Sequence, residues 1–184
     1  NDGTDVEVLA TTSSVEQVTL DLVGHNGYIY TVCVAGKEGA AARGIAQVRF
    51  QAMVVAPHTI HRVGADVFAP CALGGVLNAT TIPQLGARIV AGSANNQLEK
   101  DEDGFTLFSK GITYAPDYAI NSGGLVNVAA ELDGYNQEKV LSKVSKIYQT
   151  IENILEHSKK EQIPPHQAAD ALAEKRLNEA RKQS

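Results

Sequence analysis

Arg88-Ile-Val-Ala-Gly-Ser-Ala-Asn-Asn96 is the stretch whose reading decides the fold. Its first half is a short apolar, β-favouring run, and its second half is a turn of small and carboxamide residues. That combination marks a buried strand that ends abruptly. The same arrangement recurs on both sides. Residues 66–69 run into Pro70-Cys-Ala-Leu-Gly-Gly75, and residues 111–114 run into Ala115-Pro-Asp117 and then Ile120-Asn-Ser-Gly-Gly124. Further apolar runs stand at 6–9, 29–34 and 52–55. A spacing of about 20 to 25 residues, with helix-sized gaps between some runs, predicts βαβ units and an α/β fold with a parallel sheet flanked by helices. Residues 13–24, with Val15, Val18, Leu22 and Val23 on one face, read as the first crossover helix. The acidic, glycine-bearing stretch 99–104 reads as an exposed loop.

The C-terminal end has a different period. Val140, Val144, Ile147, Ile151 and Ile154 recur at three- and four-residue steps, which predicts one amphipathic helix of about 20 residues. Asn136 is placed to cap it, and Glu138 sits in a first turn where the helix dipole favours an anion. The helix should end before Pro164-Pro165, where a second helix begins and continues through Ala168, Leu172 and Leu177. Residues 1–134 thus form an α/β unit, and 135–184 a helical segment packed on it.

Composition narrows the functional classes. The 184 residues are 43% hydrophobic and 20% charged, ordinary for a globular chain. With 5% aromatic residues, no Trp and a net charge of −5, stacking on nucleic-acid bases and a basic footprint are not expected. No apolar run approaches the length of a membrane span. Cys33 and Cys71 match neither a metal spacing nor a disulfide framework, so reduced thiols in the cytoplasm and no metal site are expected. The five histidines are scattered without an acidic or nucleophilic partner and read as surface or capping residues. Ser122 has no base placed for it, and Asp117, after Pro116, reads as a turn residue. No catalytic residue is assigned.

In an open parallel sheet, ligands bind beyond the carboxyl ends of the strands. The turns to inspect are therefore 70–75, 92–96 and 115–124. Small residues admit a flat ligand, and carboxamides such as Asn95 and Asn121 donate and accept at once.

Phe68-Ala-Pro-Cys-Ala-Leu-Gly-Gly75, Thr81-Ile-Pro-Gln-Leu85, Ile89-Val-Ala-Gly-Ser-Ala-Asn-Asn-Gln97, Tyr114-Ala-Pro-Asp-Tyr118 and Ile120-Asn-Ser-Gly-Gly-Leu-Val-Asn-Val128 resemble, in order and spacing, the leucine/phenylalanine/valine dehydrogenase family. The resemblance extends through Glu131-Leu-Asp-Gly-Tyr-Asn136 and Ala168-Ala-Asp-Ala-Leu-Ala-Glu174. It implies a Rossmann-like NAD-binding domain at 1–134. The implied enzyme deaminates a branched-chain L-amino acid oxidatively to a 2-oxo acid and ammonia.

By the same resemblance, Cys71, Ala72 and Leu73 lie along the ribose side of NAD. Asn95 lies beside the nicotinamide ribose and the substrate amine, Asn121 near the nicotinamide carboxamide, and Leu125 and Val128 along the substrate side chain. A homo-oligomer is implied. The family's catalytic lysine and aspartate belong to a substrate domain that this chain does not carry. Inactivity alone is therefore expected, with that domain or a partner chain completing the site. The family's glycine-rich first turn is matched by Ala10-Thr-Thr-Ser-Ser-Val15, which has no glycine. There Thr12, Ser13 and Ser14 offer hydroxyls to phosphate. The alternative expectation, resting on that turn, is a non-catalytic assembly module of dehydrogenase descent that has lost NAD.

Overall fold

The computed structural model describes residues 22–23, 29–32, 55–132 and 134–183. The expected strand at 6–9, and Thr12, Ser13 and Ser14, lie outside the described residues. The strands are β1 (Leu22–Val23), β2 (Ile29–Val32), β3 (Ala65–Ala69), β4 (Ala87–Val90) and β5 (Thr113–Tyr114), and they form a sheet in the order 1-2-3-4-5. The chain is α/β, as its alternation of apolar runs and helices requires. β2 to β5 are parallel, whereas β1 pairs antiparallel with β2. Two expectations change here. Leu22–Val23 is a strand where a crossover helix was expected, its backbone pairing with Ile29 and Tyr30. Val55 lies outside any strand and leads into a 3-10 turn, Pro57–Arg62, begun by the proline.

Register explains the core. Phe68 pairs with Val90, and Val90 with Tyr114, so these three residues form one row across the sheet. All three are buried, with Ile60, Leu77, Ile82 and Leu107 packed on the same cluster. Neighbouring Val67 is buried as well, which reflects a sheet covered on both faces. Because the row is level, the turns that follow β3, β4 and β5 leave the sheet side by side.

The helices are α1 (Asp101–Ser109), α2 (Asp117–Ile120), α3 (Gly123–Leu132), α4 (Gln137–Val144), α5 (Lys146–Glu161) and α6 (Pro165–Gln183). No described helix is long and apolar enough to cross a membrane. α1 corrects the reading of 99–104 as a loop. Asp101, Glu102 and Asp103 occupy its first turn, where the dipole favours them, and Asp103 Oδ2 accepts from Lys100 N at 2.9 Å. Gly104 costs helix propensity but is required by packing. A Cβ there would stand 2.3 Å from Cε1 of His166, whose ring lies against the helix and meets Phe105 edge-on.

Asn136 does cap α4, its Oδ1 accepting from Lys139 N at 2.9 Å. The single helix expected between Asn136 and Pro164 is divided into α4 and α5 at Ser145, whose hydroxyl bonds back to Ser142 O. α5 ends at Gln162, in left-handed conformation, and α6 starts at Pro165. A second apolar cluster of Ile154, Ala168 and Ala169 joins α5 to α6, with Ala119 of α2 packed against it. Tyr118 fastens the same junction, donating to His166 O at 3.1 Å or Asp170 Oδ1 at 3.0 Å.

His61 and His166 are buried, against the surface reading of the histidines. Nε2 of His61 has no hydrogen-bond partner among the described residues, and its pKa is lowered by burial, with the Arg62 charge adding to the effect. The folded pKa thus lies below the unfolded value of about 6.5. The unfolded chain takes up that proton first as pH falls, so this contribution is full above about 6.5 and is lost toward the lower folded value. Urea midpoints for the wild type should therefore fall between pH 7.5 and 5.5 more steeply than for His61→Gln. Parallel profiles would rule the assignment out.

Candidate functional site

The loop after β4 is held by backbone contacts that its sequence dictates. Ala94 N donates to Pro70 O at 2.8 Å, which ties this loop to the turn after β3. Gly92 sits so close to Pro70 that a Cβ would lie 2.2 Å from the Pro70 carbonyl oxygen. Fully buried Gln97 donates through Nε2 to Gly92 O at 2.7 Å and Ala94 O at 3.0 Å, so one side chain closes the loop on itself. Gly75 N then donates to Asn96 O at 2.7 Å. The two turns form one continuous edge.

Asp117, at the start of α2, fixes that edge to β5. Its buried carboxylate accepts from Tyr114 Oη at 2.6 Å through Oδ1 and from Asn96 N at 2.7 Å through Oδ2. The second bond holds Asn96 at φ 53°, a left-handed conformation that asparagine tolerates better than most residues. Burial, reinforced by the hydrogen bond to the Asp117 carboxylate, pushes the Tyr114 phenol far above its ordinary pKa. Tyr114 is a fixed donor.

With Asn96 held, Asn95 projects beside Asn121. Asn121 Nδ2 donates to Asn95 Oδ1 at 2.6 Å and lies 3.3 Å from Ser93 O. These bonds use the oxygen of one amide and the nitrogen of the other. Asn95 Nδ2 and Asn121 Oδ1 make no hydrogen bond among the described residues, and the pair presents one donor and one acceptor. Both asparagines line an open cleft of about 1050 Å³ at the carboxyl edge of the sheet. Leu125 and Val128 of α3 form an apolar wall of the same cleft, and both are exposed. α3 has no buried residue at all. Asn95, Asn121, Leu125 and Val128, spread over 34 positions of sequence, therefore meet in one site.

The turn at 71–73 stands apart from the cleft lining. Cys71 Sγ lies 3.5 Å from the amide of Ser93, which does line the cleft. Ala72 packs on the core and Leu73 is exposed. Among the described residues, no group of histidine, cysteine and acidic side chains is placed to hold a metal. The charged cleft residues are Glu99, Lys100 and Asp101, exposed on the rim, and Asp117, already bonded.

Sequence reasoning missed the buried role of Gln97 and underrated Asp117. A glutamine closing a run of small polar residues gives no periodic signal. Asp117 had one local sign, its position after proline at a strand end.

The family model of glutamate/leucine/phenylalanine/valine dehydrogenases matches residues 11–184. The chain belongs to this family. Leucine dehydrogenase of Geobacillus stearothermophilus is 50% identical over 133 residues, covering 72% of this chain and 36% of the relative. Leucine dehydrogenase of Bacillus subtilis is 41% identical over 181 residues, covering 93% of this chain and 50% of the relative. The crystal structure of L-tryptophan dehydrogenase from Nostoc punctiforme superposes with a TM-score of 0.73 at 46% identity, over 76% of this chain and 42% of that one. The chain thus spans about a third to a half of the length of these amino-acid dehydrogenases. Its sheet and flanking helices are the Rossmann-like part of a dehydrogenase fold.

Asp117→Asn removes the charge that both Tyr114 and Asn96 use. Hydrogen bonds to charged groups contribute roughly 1.5 to 3 kcal/mol, so a loss of about that size is expected in urea unfolding. Tyr114→Phe should cost less, because Asn96 keeps its acceptor. Equal losses would show that the bond to Asn96 contributes nothing.

Proposed function

We propose that this chain is the cofactor-binding part of an NAD-dependent dehydrogenase acting on a branched-chain L-amino acid. The observation that carries the reading is the Asn95–Asn121 pair facing an apolar wall. A nicotinamide carboxamide presents one acceptor and one N–H₂ donor set, the complement of the free Asn95 Nδ2 and Asn121 Oδ1. The residues present therefore fit the nicotinamide end of the cofactor. When bound, the nicotinamide supplies the hydride acceptor for oxidation of the amino acid to a 2-oxo acid and ammonia. The chain's own residues orient: Asn121 holds Asn95, and Asp117 holds the backbone next to it. Leu125 and Val128 exclude water from one side of the cleft and suit an aliphatic side chain, although one methylene more or less is worth only about 1 to 3 kcal/mol there.

The acid–base groups are a separate matter. Proton transfer needs a group within hydrogen-bond reach of the substrate, with a pKa near the working pH. Asp117 is engaged, and Glu99, Lys100 and Asp101 are exposed to solvent at the rim. We infer that turnover requires a substrate domain, from the same polypeptide or a partner chain, closing over α3 in a cytosolic homo-oligomer. The second reading, an assembly module without cofactor, rests on the sequence of residues 10–15, which has no glycine where the family's phosphate-binding turn is glycine-rich; side chains in such a turn would crowd a pyrophosphate.

Calorimetric titration with NAD separates the two. Binding in the micromolar range is expected, with Asn121→Ala weaker by roughly tenfold, the equivalent of about 1.4 kcal/mol. Absence of heat at millimolar NAD would leave the assembly reading standing. Mixed with leucine and NAD, the chain alone should produce no NADH absorbance at 340 nm. Steady turnover would mean that the acid–base groups are already present.

A further inference from the structure

A second concavity lies on the other side of α2, between α3, the α4–α5 junction and α6, with a volume of about 330 Å³. That is the lower end of the size range of small-ligand pockets. Its apolar floor comes from Ala119, Val126, Ile147, Ile154 and Leu172. Its rim carries Lys143, Lys146 and Arg176, and no acidic side chain lines it.

The uncharged hydroxyls on its wall are already bonded. Thr150 Oγ1 donates to Lys146 O, Ser122 Oγ to Ala119 O, and Tyr118 Oη to Asp170 or His166 O. The three cations are in no ion pair among the described residues. The groove therefore offers concentrated positive charge above an aliphatic floor, and apart from the three cations its side chains have no free hydrogen-bond donor. A neutral or cationic ligand would leave that charge unmatched, and a compact inorganic anion would leave the floor bare.

We propose that this groove is a ligand site for a small carboxylate carrying a short aliphatic tail. The carboxylate lies among Lys143, Lys146 and Arg176, and the tail rests on Ile147, Ile154 and Leu172. The site is distinct from the cleft, although Tyr118 and Ser122 line both and form the partition between them. It stands whether or not the cleft takes NAD.

Methyl-resolved NMR of the whole chain tests the proposal, with hexanoate as the probe and hexylammonium, hexanol and acetate as controls. Hexanoate should shift the methyls of Ile147, Ile154 and Leu172 saturably, with each control weaker by about tenfold or more. Lys143→Gln, Lys146→Gln and Arg176→Gln together should weaken hexanoate by a similar factor while the methyl spectrum of the free protein keeps its dispersion. These side chains are exposed at the rim, and a doubly substituted protein serves if the triple variant fails to fold. Three results would overturn the proposal: no saturable shift, equal response to hexylammonium or hexanol, or shifts confined to Leu125 and Val128 in the cleft. Binding unaffected by the rim substitutions would overturn it too.

Discussion

The Asp117 carboxylate is the point on which the described site depends. It takes the Tyr114 hydroxyl from a strand and the Asn96 amide from a neighbouring turn, and it begins the short helix leading to Asn121. A buried carboxylate is costly unless its lone pairs are used, and here both oxygens are. Its two bonds convert a flexible run of small residues into a defined edge. The level register of Phe68, Val90 and Tyr114 brings the three turns together, and Asp117 then locks two of them.

This edge has one wall finished and one open. Gln97 bonds two carbonyls of the loop through Nε2, although its own Oε1 is buried without a partner, and Asp117 bonds the Asn96 amide, so the loops beneath the asparagines are internally supported. α3, by contrast, buries none of its residues and exposes Leu125, Val128 and Leu132. A helix whose apolar face is left in water contributes little to the stability of its own domain. The apolar surface is retained at a place where a substrate or another segment can cover it. Site and scaffold thus divide between a rigid carboxamide side and an uncovered aliphatic side.

Much of this was legible from residues alone. Apolar runs that stop in small-residue turns gave the strands at 65–69, 87–90 and 113–114, and the side-by-side turns followed from a parallel sheet. Asn95 and Asn121 stood out as carboxamides in strand-end turns, Leu125 and Val128 by resemblance, and all four line one cleft. The Asn136 cap and the proline boundary of the last helix follow from local chemistry, which acts within a few residues. What stayed hidden depends on tertiary contact. Gly104 argues against a helix until His166 is seen to occupy the place of its missing side chain. The division of the last apolar stripe into two helices at Ser145 leaves no mark in its three- and four-residue spacing. Gln97 looks like a loop residue because its partners are backbone carbonyls, which no side-chain pattern records.

The fit between Gly104 and His166 also has a consequence for how this chain can vary. The imidazole fills the volume that a side chain at 104 would occupy, and Nε2 comes within 3.3 Å of Asp101 although neither ring nitrogen makes a hydrogen bond. The two positions, 62 apart in sequence, therefore act as one steric unit. A larger residue on α1 becomes admissible only after the ring on α6 has been reduced, and a reduced ring leaves a void unless α1 grows in turn. Either change made first passes through a less stable intermediate. The route between sequences is narrower than either endpoint, and substitutions at this helix crossing should be inherited in pairs.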